Sequence, residues 1–561
     1  VYIRRHPGRF ILVFFAIICS FLYSLFYLIK IQFVRSDYLA QRADRQHNHT
    51  VRIEPVRGTI FDRNMRPQAL TVVVYSLYAN PRQMNFETKQ KAIASLPALL
   101  DLDESFLRDR LKRDKLFVWI KRKMSFEQMQ AVKRLDLDGF SFLKENKRYY
   151  TNNELAAHIL GFAGMDNTGL EGLELKFDRY LKGEDGWARV LRDAHQRDLL
   201  IDTEFIPAKD GMNLILTIDE TIQFIVEAAL DAAYKANHAK SASVIVMDPH
   251  TGEILALANR PTYNLNDFRH SDTASRTNRS IAHVYEPGSV FKIVAATAAL
   301  EEDAFQEDAV VFCENGEYRV GNHILHDHHG HGNLTFAQVI EQSSNIGVTK
   351  IAQAIGPDIF YQYAKRFGFG QNTGIDLKGE VAGVLKSPSH WSKTTIGALP
   401  IGHEVTVTPL QLVCAVSAIA NDGLLVKPYV VKYITDSHDQ LIKEFLPEIR
   451  DRVMSPSTAA RAREILKGVV KNGTGKRAAI DGVEVAGKTG TAQKVVGGKY
   501  SHKKYFASFI GFAPADDPKV AVVVMFDEPY PNYYGGTVAA PVFREVVVNT
   551  LKYLAVSELD R

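Results

Sequence analysis

The sequence predicts an α+β fold: one antiparallel sheet covered by helices, carried behind a single apolar helix. Three observations predict it. Apolar strand pairs stand at both ends of the region 213–561, as "SASVIVMDPHTGEILALAN" (241–259) and "YFASFIGFAPADDPKVAVVVMFDEP" (505–529). The sequence between them is mostly helical, and one sheet under a layer of helices is the economical way to bury both. An uncharged stretch from Phe10 to Ile29 precedes everything else.

That first stretch is long enough to cross a membrane, since about twenty helical residues rise about 30 Å. Arg4, Arg5 and Arg9 precede it, so the short tail is expected on the cytoplasmic side. The stretch exceeds a signal-peptide core of about 15 residues and no small-x-small site directly follows it, which predicts an uncleaved anchor. The chain opens at Val1 rather than Met, which leaves room for residues ahead of it. No second spanning stretch follows, so everything after residue 35 is expected outside the cytoplasmic membrane. Cys19 lies in the anchor, leaving Cys313 and Cys414 for an oxidising compartment. They could pair, but nothing requires it, and two free buried thiols are the expectation. A length of 561 residues allows two or three domains, and a formal charge of +4 gives no case for a nucleic-acid partner.

Three segments are expected: a tail and anchor at 1–35, an extended non-catalytic region at 36–212, and a catalytic domain at 213–561. The second alternates short strand-like and helical pieces, and its Gly169, Gly172, Gly183 and Gly186 read as turns between short strands. In the third, the two hairpins turn at Pro249–Gly252 and at Asp516–Pro518. Thr408 before Pro409 reads as a helix N-cap followed by proline at the first helical position. "APVFREVVVNTLKYLAV" (540–556) is an amphipathic closing helix.

The chemistry starts at "EPGSVFKIVAATAAL" (286–300), where Lys292 is the one charge between Ser289 and Leu300. A helix apolar all round belongs in an interior. The bland reading has Ser289 capping the helix and Lys292 reaching out to solvent. Against it, a lysine in the first turn sits at the wrong end of the helix dipole, and its neighbours offer little water. Both effects favour a neutral amine, which can take the hydroxyl proton of a serine three residues away. Further on, "EQSSNIGVTK" puts Ser343, Ser344 and Asn345 after a helical stretch Thr335–Gln342. Alone, this is a helix C-terminus with Asn left-handed. "VEVAGKTGTAQ" (483–493) alone is a strand ending in a glycine turn. Gly482–Thr489 also matches the phosphate-loop pattern G-x-x-x-x-G-K-T, which makes an NTPase the remote rival. That pattern needs a strand before its first glycine and a helix at its Lys-Thr, whereas "KRAAID" precedes Gly482 and Gly490 follows at once.

S-x-x-K, S-x-N and K-T-G in that order form the signature of penicillin-binding proteins and serine β-lactamases. The chain resembles the class B penicillin-binding proteins over nearly its whole length. The resemblance rests on the single anchor, "RGTIFDRN", "GLEGLE", "YEPGSVFK", "SSNIGV", "VTPLQL", the "GTG" at 473–475 and "AGKTGTAQK". It implies a penicillin-binding/serine β-lactamase-like transpeptidase domain, with residues 36–212 as an elongated pedestal of the dimerisation type. One departure stands out: "KRYYTNNE" has Thr151 and Asn153 where the family usually has proline and glycine, which puts that turn in doubt.

The resemblance implies an activity, peptidoglycan D,D-transpeptidation, and a role for each site residue. Ser289 attacks the penultimate D-alanine carbonyl of a stem peptide, releases the last D-alanine and forms an acyl-enzyme. Lys292 is the general base, Ser343 relays a proton to the leaving amine, and Asn345 hydrogen-bonds Lys292 and the substrate amide. Lys488, Thr489, Gly490 and Thr491 hold the substrate and its terminal carboxylate, and the backbone N–H groups of Ser289 and Thr491 form the oxyanion hole. An amine of a second stem peptide then takes the acyl group. No cofactor or metal is implied, although "NHILHDHHGHGN" gathers His323, His326, Asp327, His328, His329 and His331. The bland reading of that cluster is a solvated loop serving access or local hydrogen bonding.

Division-type members tend to read Y-E-P-G-S, as Tyr285–Ser289 does, and S-S-N, as Ser343–Asn345 does. The chain also stops soon after its last helix, without the appended repeats of some sporulation relatives. A septal role is therefore expected, with β-lactams as inhibitors. The expected partners are a SEDS-family glycosyltransferase of the FtsW type and other division proteins. The alternatives are an elongation-type transpeptidase, a carboxypeptidase or penicillin-hydrolysing relative, and an inactive membrane-bound scaffold.

Overall fold

The computed structural model describes residues 7–39, 48–192 and 198–559. Two compact units divide the chain: Val1–Val56 with Gly183–Asp210, and Arg57–Lys182 with Gly211–Arg561. In the first, a helix over Pro7–Ile29 continues as a wider turn through Val34. The span Gly8–Val34 has a mean hydropathy of 2.5 and is nowhere buried, which is the composition of a membrane-crossing helix. Arg4 and Arg5 lie outside the described residues. The same unit holds an antiparallel three-stranded sheet, with Gly186–Arg192 between Asn48–Ile53 and Asp198–Ile206.

The second unit is mixed α and β, as the sequence predicts. Its five-stranded sheet runs Ile254–Arg260, Ser241–Met247, Val520–Asp527, Lys499–Ala513 and Ala486–Val496, every neighbour antiparallel. All residues of Ser241–Met247 and Val520–Asp527 are buried. Both faces of the sheet are covered, which is why these strands are continuously apolar rather than alternating. On one face lie the helices Glu220–Ala236 and Gly535–Leu559, packed through Ile222, Val226, Phe543 and Val546. The closing helix begins at Gly535, ahead of the expected residue 540. On the other face lies Pro409–Ala420, a helix buried at every position. Thr408 caps it in a reciprocal box with Gln411, as the Thr-Pro start predicts.

A second sheet of seven strands begins in the pedestal sequence. Pro67–Ala79 pairs with both Val118–Met124 and Phe140–Tyr150. Three helices cover it, and their Leu96, Leu107 and Val132 pack on Leu77 and Ile120. Through Ile60–Phe61, parallel to Asn213–Leu216, the same sheet continues to Val431–Thr435. "RGTIFDRN" and "GLEGLE" meet here. The buried Arg57 guanidinium contacts Glu174 and Asp178, each at 2.6 Å, and Arg148 reaches Glu174 at 2.6 Å. Gly172, at φ +59°, opens a short helix Gly172–Lys176, so "GLEGLE" is not a turn between strands. The departing segment "YYTNNE" still turns. Asn153 takes φ +51°, the left-handed state that asparagine tolerates best after glycine, and its side-chain oxygen accepts from Asn266 Nδ2 at 2.9 Å.

Candidate active site

Ser289 sits in a 3-10 turn, Gly288–Phe291, and Lys292 is the first residue of the α-helix Lys292–Glu301. Ser289 is therefore not the N-cap of the α-helix, because the chain tightens for one turn before the helix proper. Gly288 is at φ +60°, and a Cβ there would lie 3.0 Å from the Thr491 carbonyl oxygen. Residues 292–300 are all buried. The helix passes between Asn345–Ile355, Pro357–Arg366 and Pro456–Lys471, and the Lys292 side chain is fully buried rather than reaching out to solvent.

Ser343, Ser344 and Asn345 lie between two helices, Phe336–Glu341 and Asn345–Ile355. The left-handed residue is Ser343, at φ +60°, and not Asn345. Ser344 caps the second helix by accepting from Gly347 N–H at 2.9 Å. Asn345 is thus the first residue of a helix rather than the end of one. The strained backbone at Ser343 turns both its carbonyl and its hydroxyl onto Lys292.

Lys488 and Thr489 lie within the strand Ala486–Val496, which forms an edge of the five-stranded sheet. No helix opens at this Lys-Thr, and Gly482 stands in a tight turn between Ile480 and Val483, so the phosphate-loop reading is excluded. Gly490 has no room for a side chain. A Cβ would lie 2.3 Å from Ser508 Oγ and 2.9 Å from Val290 Cγ1, where the nucleophile turn packs on the strand. The Thr489 hydroxyl meets that of Thr474, in the "GTG" segment, at 2.6 Å, and Thr491 Oγ1 accepts from Gly535 N–H at 3.1 Å.

The three motifs converge on two lysines, both fully buried. Lys292 Nζ donates to the Ser343 carbonyl and to Asn345 Oδ1 at 2.8 Å, and lies 3.1 Å from Ser343 Oγ. Lys488 Nζ lies 2.9 Å from the same hydroxyl. Burial, then the charge of Lys488, holds Lys292 well below the ordinary lysine range. Burial alone pushes Lys488 down to about 7. A neutral Lys292 amine fits its surroundings. Its two N–H groups match two carbonyl acceptors, and its lone pair is left for a hydroxyl. A chain Lys488 N–H, Ser343 O–H, Lys292 lone pair then satisfies every member.

Asp327, read in the sequence as part of the histidine cluster, holds the second motif in place. One carboxylate oxygen accepts from Ser344 Oγ at 2.6 Å, and the other from the backbone N–H groups of Asn345 and Ile346. The His326 carbonyl takes an N–H of the Asn345 amide at 2.9 Å. The cluster thus supplies hydrogen bonds to the site, and among the described residues no three metal-ligating side chains converge. The bland reading of the cluster allowed for local hydrogen bonding, but not that Asp327, seventeen residues before Ser344, would hold the start of the next helix. Cys313 and Cys414 are both buried and unpaired.

Comparison with known proteins agrees with this geometry. The family described as "Penicillin binding protein transpeptidase domain" matches residues 242–548, and "Penicillin-binding Protein dimerisation domain" matches residues 52–216. The stage V sporulation protein D of Bacillus subtilis is 36% identical over 535 residues, 94% of this chain and 82% of that protein. The peptidoglycan D,D-transpeptidase FtsI of Escherichia coli is 32% identical, covering 98% of this chain and 93% of that protein. The structure of penicillin binding protein 3 from Mycobacterium tuberculosis, complexed with aztreonam, is similar at a TM-score of 0.71. It is 29% identical and covers 90% of this chain and 98% of that one. The chain belongs to the class B penicillin-binding proteins, the peptidoglycan D,D-transpeptidases whose family binds stem peptides and β-lactams.

Proposed function

We propose that Ser289 is the acyl carrier of this transpeptidase. The observation that carries the proposal is Lys292, a fully buried amine bonded to Ser343 and Asn345 in the turn after the serine. Lys292 takes the Ser289 proton as the hydroxyl attacks the penultimate D-alanine carbonyl. The C–N bond to the last D-alanine breaks, and its nitrogen receives a proton through the Ser343 hydroxyl. Lys488 and Thr489 receive the terminal carboxylate, which restores a positive charge on Lys488 that burial alone disfavours. The donor peptide lies along the open edge of Ala486–Val496 as an added strand through Gly490 and Thr491. Backbone N–H groups of Ser289 and Thr491 hold the carbonyl oxygen as it becomes negative. Asn345 keeps one amide N–H for the substrate, the other being spent on His326.

Residues 1–35 serve as anchor with the N-terminus in the cytoplasm, 36–212 as pedestal and 213–561 as an extracytoplasmic transpeptidase domain. The work is septal, in company with an FtsW-type SEDS glycosyltransferase and other division proteins. The Tyr285–Ser289 and Ser343–Asn345 readings and the similarity to a protein named FtsI support this assignment. Incubation with penicillin followed by intact-mass and peptide mapping tests the central point. The expected result is one adduct on Ser289, and an adduct elsewhere overturns it. Depletion in the host is expected to give filaments with blocked septa, and rounded cells that still divide would move the protein to elongation.

A further inference from the structure

The turn that departs from the family pattern also walls a groove. Residues 151–155 form one side of a depression of about 730 Å³, and the helix Glu220–Ala236 forms the other. Both walls are fastened. Thr151 Oγ1 donates to the Pro67 carbonyl at 2.8 Å, Leu265 N–H to the Asn153 carbonyl at 2.9 Å, and Ala156 N–H to Glu227 Oε1 at 2.8 Å. The helix buries Ile222, Val226 and Leu230 in the core under the sheet, so its opposite side faces the groove. Along that side run Thr221, Phe224, Ala228, Asp231 and Lys235, at alternating steps of three and four. Phe224 stands in the groove 64% exposed, with the small Ala228 one turn further on.

Charge is matched at one end of the groove only. Arg260 meets Glu227 at 3.3 Å and Asp231 at 3.1 Å, and Asp231 meets Lys235 at 2.6 Å. The remaining carboxylates that line it are Glu154 and Glu220, and among the described residues neither is ion-paired. Glu220 Oε2 accepts from Gln68 Nε2 at 2.7 Å, while the neighbouring Arg66 donates to Thr221 Oγ1 at 3.0 Å instead. Glu220 lies one helical turn before Phe224, so the two side chains share one surface. A ring face beside carboxylates that lack a cation suits a guanidinium, which stacks on the ring while its N–H groups reach the oxygens. The alternation of three and four suits a second helix, and Ala228 at its centre lets that helix come close.

We propose that this groove docks an amphipathic helix of another protein, one that carries an arginine about one turn from an apolar residue. The apolar side chain lies on Ala228, and the guanidinium lies over Phe224 between Glu220 and Glu154. The proposal goes beyond the acyl-carrier reading and does not depend on it. The groove ties two parts of the molecule together. Glu227 holds the departing turn through Ala156 and also holds Arg260, the last residue of an outer strand of the five-stranded sheet. A partner seated there therefore touches the pedestal turn and a helix of the catalytic domain at once. Because Thr151 and Asn153 replace the usual proline and glycine, the shape of that wall, and with it the choice of partner, is particular to this chain.

Photo-cross-linking of the full-length protein in its native membrane tests this. Benzoylphenylalanine replaces Asn152, an exposed residue of the groove wall, and the joined segment is sequenced by mass spectrometry. The expected product joins the chain to another protein, within an amphipathic helix that has an arginine about one turn from the contact. Glu154→Arg and Phe224→Ser should each lower the cross-linked fraction about tenfold, the worth of one hydrogen bond to a charged group or one cation–ring contact. Penicillin labelling should stay within about twofold in both variants, because neither side chain belongs to the reacting groups. Changing the partner's arginine to glutamate should restore cross-linking to the Glu154→Arg variant. A product with a lipid, with a second copy of this chain or with a segment lacking a basic residue overturns the proposal, and so does the absence of any product. An unchanged yield in both variants overturns it as well. Loss of penicillin labelling in both would overturn it too, assigning these residues to the support of the catalytic domain.

Discussion

Arg57 and Lys292 are both basic side chains with no exposed surface, yet their surroundings differ in one respect. Arg57 is met by Glu174 and Asp178, and these raise its affinity for its proton against the cost of burial. Lys292 is met by a carbonyl, an amide oxygen and a hydroxyl, with another lysine beyond, and its affinity falls. Burial alone does not decide charge. The pedestal uses carboxylates to keep a buried cation charged and the lobe fixed, while the active site spends its carboxylate, Asp327, on Ser344 and backbone N–H groups rather than on the amine, and obtains a base.

The largest test of that contrast is Lys292→Arg, which restores a permanent charge to the base position. Penicillin acylation is expected to fall about 10²–10⁴-fold, the usual worth of a general base. Rates near those of the unaltered protein would make Lys292 structural. The mirror experiment is Glu174→Gln, which takes the carboxylate from Arg148 and leaves Arg57 with Asp178 alone. Breaking a buried pair costs about 3–5 kcal/mol, read as a lower unfolding midpoint in denaturant. The acylation rate per folded molecule should hardly move, and an unshifted midpoint would show that the network carries no stability.

pH sharpens the comparison further. Both active-site lysines have folded-state pKa values below their unfolded value of about 10.4. Across that interval the unfolded chain binds more protons, so the contribution to stability rises with pH, for Lys488 from about 7 upward. The acylation rate should fall as pH drops through the Lys292 pKa. The midpoint of this acid limb is expected well below about 10.4, and one near that value would contradict a neutral base. The smallest effect is expected from Asp327→Asn, which keeps the cap geometry but drops its charge. It should cost about 1 kcal/mol of stability and slow acylation several-fold through a less firmly held Asn345. No change in either readout would remove Asp327 from the support of the site.

Much of this was legible in the sequence where local chemistry and fold agree. Thr408-Pro409 with Gln411 specifies a capped helix by itself, and "SASVIVM" has no soluble alternative to a covered strand. Motif order pointed to Lys292, Ser343, Asn345 and Lys488 as neighbours, and hydrogen bonds from Lys292 to Ser343 and Asn345 and from Lys488 to Ser343 join them. Conformations imposed by long-range contact were not legible. Ser343 is the left-handed residue, and Asp327, seventeen positions before Ser344, holds Ser344 at the start of the next helix, so the local rule favouring asparagine picked the wrong residue. "AGKTG" reads as a turn from its glycines. Gly487 and Gly490 instead lie within the strand, where side chains would strike Phe509 and Ser508.

The edge strand Ala486–Val496 has a consequence beyond catalysis. An unpaired strand edge is a template for joining other chains, and proteins usually blunt it with charge or proline. Between Ala486 and Gln493 this strand carries one lysine, turned inward and buried, and no proline. On the proposed placement of the donor peptide, the peptide closes this border, so a bound or acylating ligand should suppress self-association in concentrated protein as well as block the reaction.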